Sequence, residues 1–307
     1  MQTVRRCFRF AALALVASLC GCSPRQGVES LVLYDRVVRS ADIAYGTDAR
    51  QRLDVYHERR TRTAAPVVVF IYGGRWKFGS KRDYLLIGNA LARLGWVVVI
   101  PDYRLFPAVR YPAWVDDGAS AVRWTRDYVT RFGGDSTRII VVGHSAGAHS
   151  VTMLALDEHF LRNAGVPANV IRGFLSLAGP VDTTWTAPDV QALMGPREGW
   201  PATYPRNFID GNEPPLLLLH GAADVVVSPG NSTRLAERIQ ARGGCARVDV
   251  YPRIGHVEIA LALAIPSLDL APVMHDLGAF VRDPVAFTCA SREAKQRTAG
   301  HAGDREE

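Results

Sequence analysis

Short apolar runs recur along this chain at Val67 to Tyr72, Trp96 to Ile100, Arg138 to Val142, Phe174 to Leu177, Leu216 to His220 and Val248 to Tyr251. Runs without polar alternation suit strands buried on both faces, and no other single feature narrows the possible folds as far. Between them, Tyr84 to Leu94, Trp114 to Tyr128, Ala146 to Leu156, Thr233 to Ala241 and Leu270 to Val281 carry apolar residues three and four apart, the spacing of one helix face. Upstream, Asp42 to Tyr45 and Arg52 to Tyr56 read as two short strands joined by a turn at Gly46-Thr47-Asp48, an opening hairpin. The pattern predicts an α/β fold: a mostly parallel central sheet of about eight strands with helices on both faces.

At 307 residues and 48% hydrophobic, the chain can bury one large core, and residues 23–290 are expected to form a single domain. The longest stretch without clear periodicity is 181–215, with scattered prolines and Trp185, Trp200 and Tyr204; a gap of that length suits a lid or substrate-binding loop. Residues 291–307 are polar and charged and are expected to be disordered.

The first 22 residues have the parts of an export signal: a basic start ending at Arg9, an apolar run from Phe10 to Leu19, and small residues after it. Leu19-Cys20-Gly21-Cys22 resembles the lipobox of bacterial lipoproteins, which implies that Cys22 is lipidated and becomes the first residue; an ordinary cleaved signal is the alternative. Ser23 stands where an inner-membrane retention signal would have Asp, which favours the outer membrane. Without the leader's Arg5, Arg6 and Arg9 the formal charge of +6 falls to about +3, too little to argue for nucleic acid. The only lysines are Lys77, Lys81 and Lys295, so the positive charge is nearly all arginine, which we read as compositional bias.

Export also changes how the remaining cysteines are read. With Cys7 and Cys20 gone and Cys22 lipidated, Cys245 and Cys289 are left, before the last strand and after the last helix, at one edge of the sheet. A disulfide and two free thiols are both open readings.

The strongest chemical signal is Gly143-His144-Ser145-Ala146-Gly147, a G-x-S-x-G motif between a strand and a helix. Such a turn presents Ser145 Oγ at a helix N-terminus, and its glycines remove side chains that would clash. A serine hydroxyl needs a base, and the base needs a group that holds its tautomer. Asp224 follows the apolar run ending at His220, and His256 follows the run ending at Tyr251; both fall at strand carboxyl ends, in the order nucleophile, acid, histidine. Asp210 is the rival acid, while Asp116, Asp117 and Asp135 precede the serine and read as structural. His57, His144, His149, His159, His220 and His275 are read as surface or packing histidines. The Ala146 N–H and those of Gly73 and Gly74 are candidate donors to the oxyanion of a tetrahedral intermediate.

Tyr72-Gly73-Gly74-Arg75-Trp76, Asp102-Tyr103-Arg104, Gly133-Gly134-Asp135, the Ser145 turn, His220-Gly221-Ala222-Ala223-Asp224 and Gly255-His256 together resemble carboxylesterases of hormone-sensitive-lipase and arylformamidase type, on the α/β-hydrolase fold. The likeness spans nearly all of the chain beyond the leader, and the stretches 72–76, 102–107 and 143–149 look most like prenylcysteine methylesterases and related bacterial esterases. Tyr72 stands where that family usually has histidine, and Arg75 follows the glycine pair, free to face a substrate carboxylate or phosphate or simply solvent; Trp76 should line or prop the pocket. The resemblance implies hydrolysis of small-molecule, short-chain carboxylic esters through an acyl-enzyme, with no metal or cofactor and a rate that falls in acid as the histidine base is protonated. An arylformamidase-type amidase or a sugar or antibiotic deacetylase would use the same residues. A lipid-anchored binding protein without turnover is the reading from a different class. A prenylcysteine substrate does not fit an exported bacterial lipoprotein, and the sequence leaves the oligomeric state open.

Overall fold

The computed structural model describes residues 36–60 and 64–289, so the leader with Cys22 and the tail at 291–307 lie outside the described residues. Eight strands form one sheet in the order β1-β2-β4-β3-β5-β6-β7-β8. β1 (Val37–Ala44) and β2 (Arg52–Glu58) form the opening hairpin, and β2 also runs antiparallel to β4 (Val97–Pro101). β3 (Ala65–Ile71), β4, β5 (Gly134–His144), β6 (Ile171–Leu177), β7 (Leu216–Gly221) and β8 (Ala246–Tyr251) are parallel to one another. β1 begins earlier than the apolar pattern suggests. It is an edge strand with a bulge between Ser40 and Ile43, Asp42 lying at φ 58°, and the bulge breaks the alternation a sequence reader would follow.

The apolar runs are buried as their continuity requires: Val67, Val68, Val69, Phe70, Val141, Val142 and Leu216 to Leu219 are inaccessible. Each such side chain contributes roughly 1.5–3 kcal/mol relative to exposure. The helices are α1 (Leu85–Ala92), α2 (Ala113–Tyr128), α3 (Ala146–Leu156), α4 (His159–Asn163), α5 (Pro188–Met194), α6 (Gly230–Ala241), α7 (Glu258–Ala264) and α8 (Val273–Arg282). α2 packs on α3 over one face of the sheet, and α1, α7 and α8 pack together over the other.

The sequence pattern missed α4, α5 and α7, each too short to show a full apolar period. α5 lies inside 181–215, which is held in place: Trp185 Nε1 donates to Thr203 Oγ1 at 2.6 Å, and Tyr111 Oη to Ala202 O at 2.6 Å. A disulfide joins Cys245, just before β8, to Cys289 in the helical turn after α8, with Cα atoms 5.1 Å apart. Of the two readings the sequence leaves open, the structure takes the bridged one.

The chain leaves β3 in one direction to form β4 and later returns to form β5 on the other side of β3. The carboxyl ends of β3 and β5 therefore flank a topological switch point, where open α/β sheets have a crevice. Gly73 and Ser145 follow these two strands.

Candidate active site

Ser145 occupies the turn between β5 and α3 at φ 55° and ψ −119°, a conformation few non-glycine residues adopt. The surroundings hold it there. Its N–H donates to Leu177 O at 2.9 Å, and its carbonyl accepts from His149 N at 3.2 Å. The motif glycines are required by contact: a Cβ on Gly143 would lie 2.4 Å from Gly147 O, and one on Gly147 would lie 2.1 Å from Ile71 O.

Asp224 and His256 come from loops that are stitched together. Ala222 N–H donates to Tyr251 O at 2.9 Å, Ala223 N–H to Ile254 O at 2.9 Å, and a Cβ on Gly221 would sit 2.1 Å from Ile254 O. The loops after β7 and β8 thus share one backbone frame. Within it His256 Nε2 is 2.9 Å from Ser145 Oγ, and His256 Nδ1 is 2.7 Å from Asp224 Oδ2. The other Asp224 oxygen, Oδ1, accepts from the N–H groups of Val226 and Val227, both at 2.8 Å. Burial pushes the Asp224 carboxyl up, but the Val227 N–H, His256 and the Val226 N–H outweigh it, and its pKa lies below the ordinary value.

The structure brings Ser145, His256 and Asp224 together and leaves the rivals elsewhere. Asp210 turns back to accept from Asn212 N–H, and Asp117 is bound to Arg104 and Gln51. His159 and His275 lie against Asp157 and Asp276, and His57 packs near Phe132. Among the described residues, no three His, Cys, Asp or Glu side chains are grouped as metal ligands would be.

Three histidines read as packing residues have closer ties to the site than the sequence shows. The neutral His220 donates from Nε2 to Val227 O at 2.9 Å, with Asp224 Oδ2 at 3.2 Å, and its Nδ1 accepts from Ser232 Oγ at 2.7 Å. His144 Nε2 donates to His256 O at 3.0 Å and so pins the backbone of that residue. His149, on α3, donates from Nε2 to Thr203 O at 2.9 Å and ties 181–215 to the helix that follows Ser145.

Burial pushes the pKa values of His144 and His149 down, each to about 4. Both stay neutral in the folded protein at pH values where an unfolded histidine, with its value near 6.5, takes up a proton. Their contribution is therefore complete above about pH 6.5 and is lost as the pH falls toward 4, at about 1.4 kcal/mol per pH unit for each. Denaturant midpoints measured from pH 7 to pH 4 should fall accordingly, and less steeply in His149→Gln. Equal slopes in the two proteins would refute the assignment.

The oxyanion side differs in one respect from expectation. Gly73 packs against the serine, a Cβ there lying 2.8 Å from Ser145 Cβ, but its N–H donates to Tyr84 Oη at 3.3 Å. Among the described residues the Gly74 and Arg75 N–H groups have no acceptor, and Ala146, at the first turn of α3, has none within its helix. Gly74 at φ 131° and Arg75 at φ 51° turn the backbone at this point. Tyr84 and the Arg75 amide carry no motif that would have marked them in the sequence.

The Tyr72 hydroxyl donates to Asp102 Oδ1 at 2.7 Å and accepts from Arg50 at 2.9 Å, which braces the loop without a histidine. Arg75 is exposed and its Nη2 donates to both carboxylate oxygens of Asp189 on α5, at 2.7 and 2.8 Å. Trp76 stacks on Trp114, with centroids 5.7 Å apart, and meets His149 and Trp185 edge-on. It is buried among these rings.

Comparison with known proteins places the chain in a family. The family model described as BD-FAE matches residues 53–239. Esterase LipC of Mycobacterium tuberculosis is 30% identical over 67% of this chain and 56% of its own length. An isoprenylcysteine alpha-carbonyl methylesterase of Arabidopsis thaliana is 27% identical over 71% of this chain and 56% of its own. The chain thus spans little more than half the length of these curated relatives. Among solved structures, esterase B from Lactobacillus Rhamnosis superposes with a TM-score of 0.68 at 18% identity, covering 94% of this chain and 97% of that one. The likeness at that identity is one of fold. The chain has the α/β-hydrolase fold and belongs to the BD-FAE family.

Proposed function

We propose that this protein is a serine carboxylesterase that hydrolyses short-chain carboxylic esters. The observation that carries the reading is the continuous chain of hydrogen bonds from Ser145 through His256 to Asp224. His256 Nε2 takes the Ser145 hydroxyl proton as Oγ bonds to the ester carbonyl carbon, and the carbonyl oxygen becomes an oxyanion. The N–H groups of Gly74 and Ala146 are its donors, with Gly73 holding the loop through Tyr84. The alcohol leaves with the proton from His256, giving the acyl-enzyme. Water, deprotonated by His256, then releases the acid and restores Ser145. Trp76, Trp114, His149 and Trp185 pack on one another beside α3, which supports a shallow acyl pocket.

Turnover of p-nitrophenyl acetate, butyrate and octanoate tests the reading. Acetate and butyrate should exceed octanoate; no turnover of any of them would overturn it, and octanoate first would overturn the chain-length part.

The leader and the disulfide support a second part of the proposal: the protein is exported, is lipidated at Cys22, and is held at the cell envelope, the outer membrane being favoured. Radiolabelled palmitate should enter the protein in its host and be absent from Cys22→Ser. Equal label in both would refute lipidation at this cysteine.

A further inference from the structure

Arg138 near the start of β5, Arg172 in β6 and Arg282 at the end of α8 line one cavity of about 410 Å³, together with Thr137 and Asn169 and an apolar wall that includes Val281. Some arginines in the molecule meet carboxylates: Arg39 pairs with Asp54, Arg104 with Asp117 and Arg234 with Asp182. Around this cavity Arg138 lies near Asp135, but the other two arginines have no such partner. Neither Arg172 nor Arg282 has an ion pair or side-chain hydrogen bond among the described residues. Of the nearby acids, Asp135 interacts with Arg138 while its Oδ1 accepts from Thr137 N–H and Oγ1, and Asp283 Oδ1 accepts from Ala286 N–H. Three exposed arginines lining one hollow repel one another, and an anion with several acceptor oxygens relieves the repulsion while accepting from each. Asn169 adds a neutral donor at the rim.

The position of the cavity says where such an anion comes from. β5 and β6 start here, at the sheet edge opposite Ser145, Asp224 and His256, and Arg138 and His144 are about 20 Å apart along β5. β1 is antiparallel to β2, which is antiparallel to the parallel set, so β1 also starts at this edge. The chain thus enters the fold on the side of the three arginines. Residues 23–36 separate Cys22 from β1, a reach of at most about 50 Å.

We propose that this cavity is a phosphate-binding site that takes the head-group phosphate of an anionic membrane lipid, seating this edge of the sheet on the bilayer and turning the Ser145 edge away from it. The membrane source rests on the anchored reading given above; the phosphate chemistry does not, and neither depends on ester turnover.

The test uses the exported protein purified in neutral detergent, beside a variant carrying Arg138→Gln, Arg172→Gln and Arg282→Gln. Inorganic phosphate should bind the parent by calorimetry at least tenfold more tightly than the variant, with ester turnover equal in both. In phosphatidylglycerol vesicles, amide exchange across 137–140, 171–173 and 281–284 should slow relative to phosphatidylcholine vesicles, and the difference should vanish in the variant. Phosphate binding without that protection would overturn the membrane seating and assign the site to a soluble phosphate ester. No phosphate binding and no protection would overturn the proposal whole. Failure of ester turnover in the parent would count against the esterase alone.

Discussion

Replacing Ser145 by alanine should lower ester turnover about a million-fold, and replacing Asp224 by asparagine should lower it about ten-thousand-fold, with the fold intact in both. The first change removes the nucleophile and leaves only binding and the oxyanion donors. The second acts through tautomer, and the structure shows how. Asp224 Oδ1 accepts from two backbone N–H groups, Val226 and Val227, so an asparagine in this position would keep its carbonyl oxygen there. Its NH2 group would then face His256 Nδ1 and His220 Nε2, the second of which is itself a donor. His256 would be driven to carry its proton on Nε2, where it cannot accept from Ser145. Steady-state kcat for a p-nitrophenyl ester measures both effects. Residual activity above one hundredth of the parent in Ser145→Ala would mean that another group is the nucleophile.

The second large effect is on folding. Gly147→Ala should cost more than about 4 kcal/mol, enough to leave little soluble protein. The new Cβ would lie 2.1 Å from Ile71 O and 2.5 Å from Tyr72 O, both backbone atoms at the end of β3, and α3 is buried along its whole length. No rotamer can relieve a clash between Cβ and backbone. Gly278→Ala is the contrasting case: nothing lies within 4 Å of a Cβ there, and an alanine inside α8 should stabilise by up to about 1 kcal/mol. Thermal unfolding of the two variants checks the pair. A folded Gly147→Ala with a midpoint within a few degrees of the parent would show that α3 does not approach β3 as closely as described.

The architecture was legible in the sequence because its signals are local or periodic. Continuous apolar runs bounded by turn residues fit strands buried on both faces, and apolar residues three and four apart fit the helices that cover them, so the α/β class and most element positions followed from these patterns. The Ser145 turn was legible for a related reason: the close approaches at Gly143 and Gly147 exclude every side chain, and such steric demands leave their mark on the sequence. Asp224 and His256 could be picked out because each follows a strand whose carboxyl end points to the same edge.

What the tertiary structure decided is pairing across distance, which no local pattern encodes. The Gly73 N–H goes to Tyr84, Arg75 to Asp189 and the His144 ring to the His256 carbonyl, and in each case the partners come from different elements. The same holds for His149, which the sequence shows only as a polar residue on an apolar helix and which the fold uses to tie 181–215 to α3 through Thr203. It holds too for the three arginines at the far edge. In the sequence they are compositional excess; only the meeting of β5, β6 and the end of α8 sets them around one cavity, two of them, Arg172 and Arg282, without a carboxylate partner.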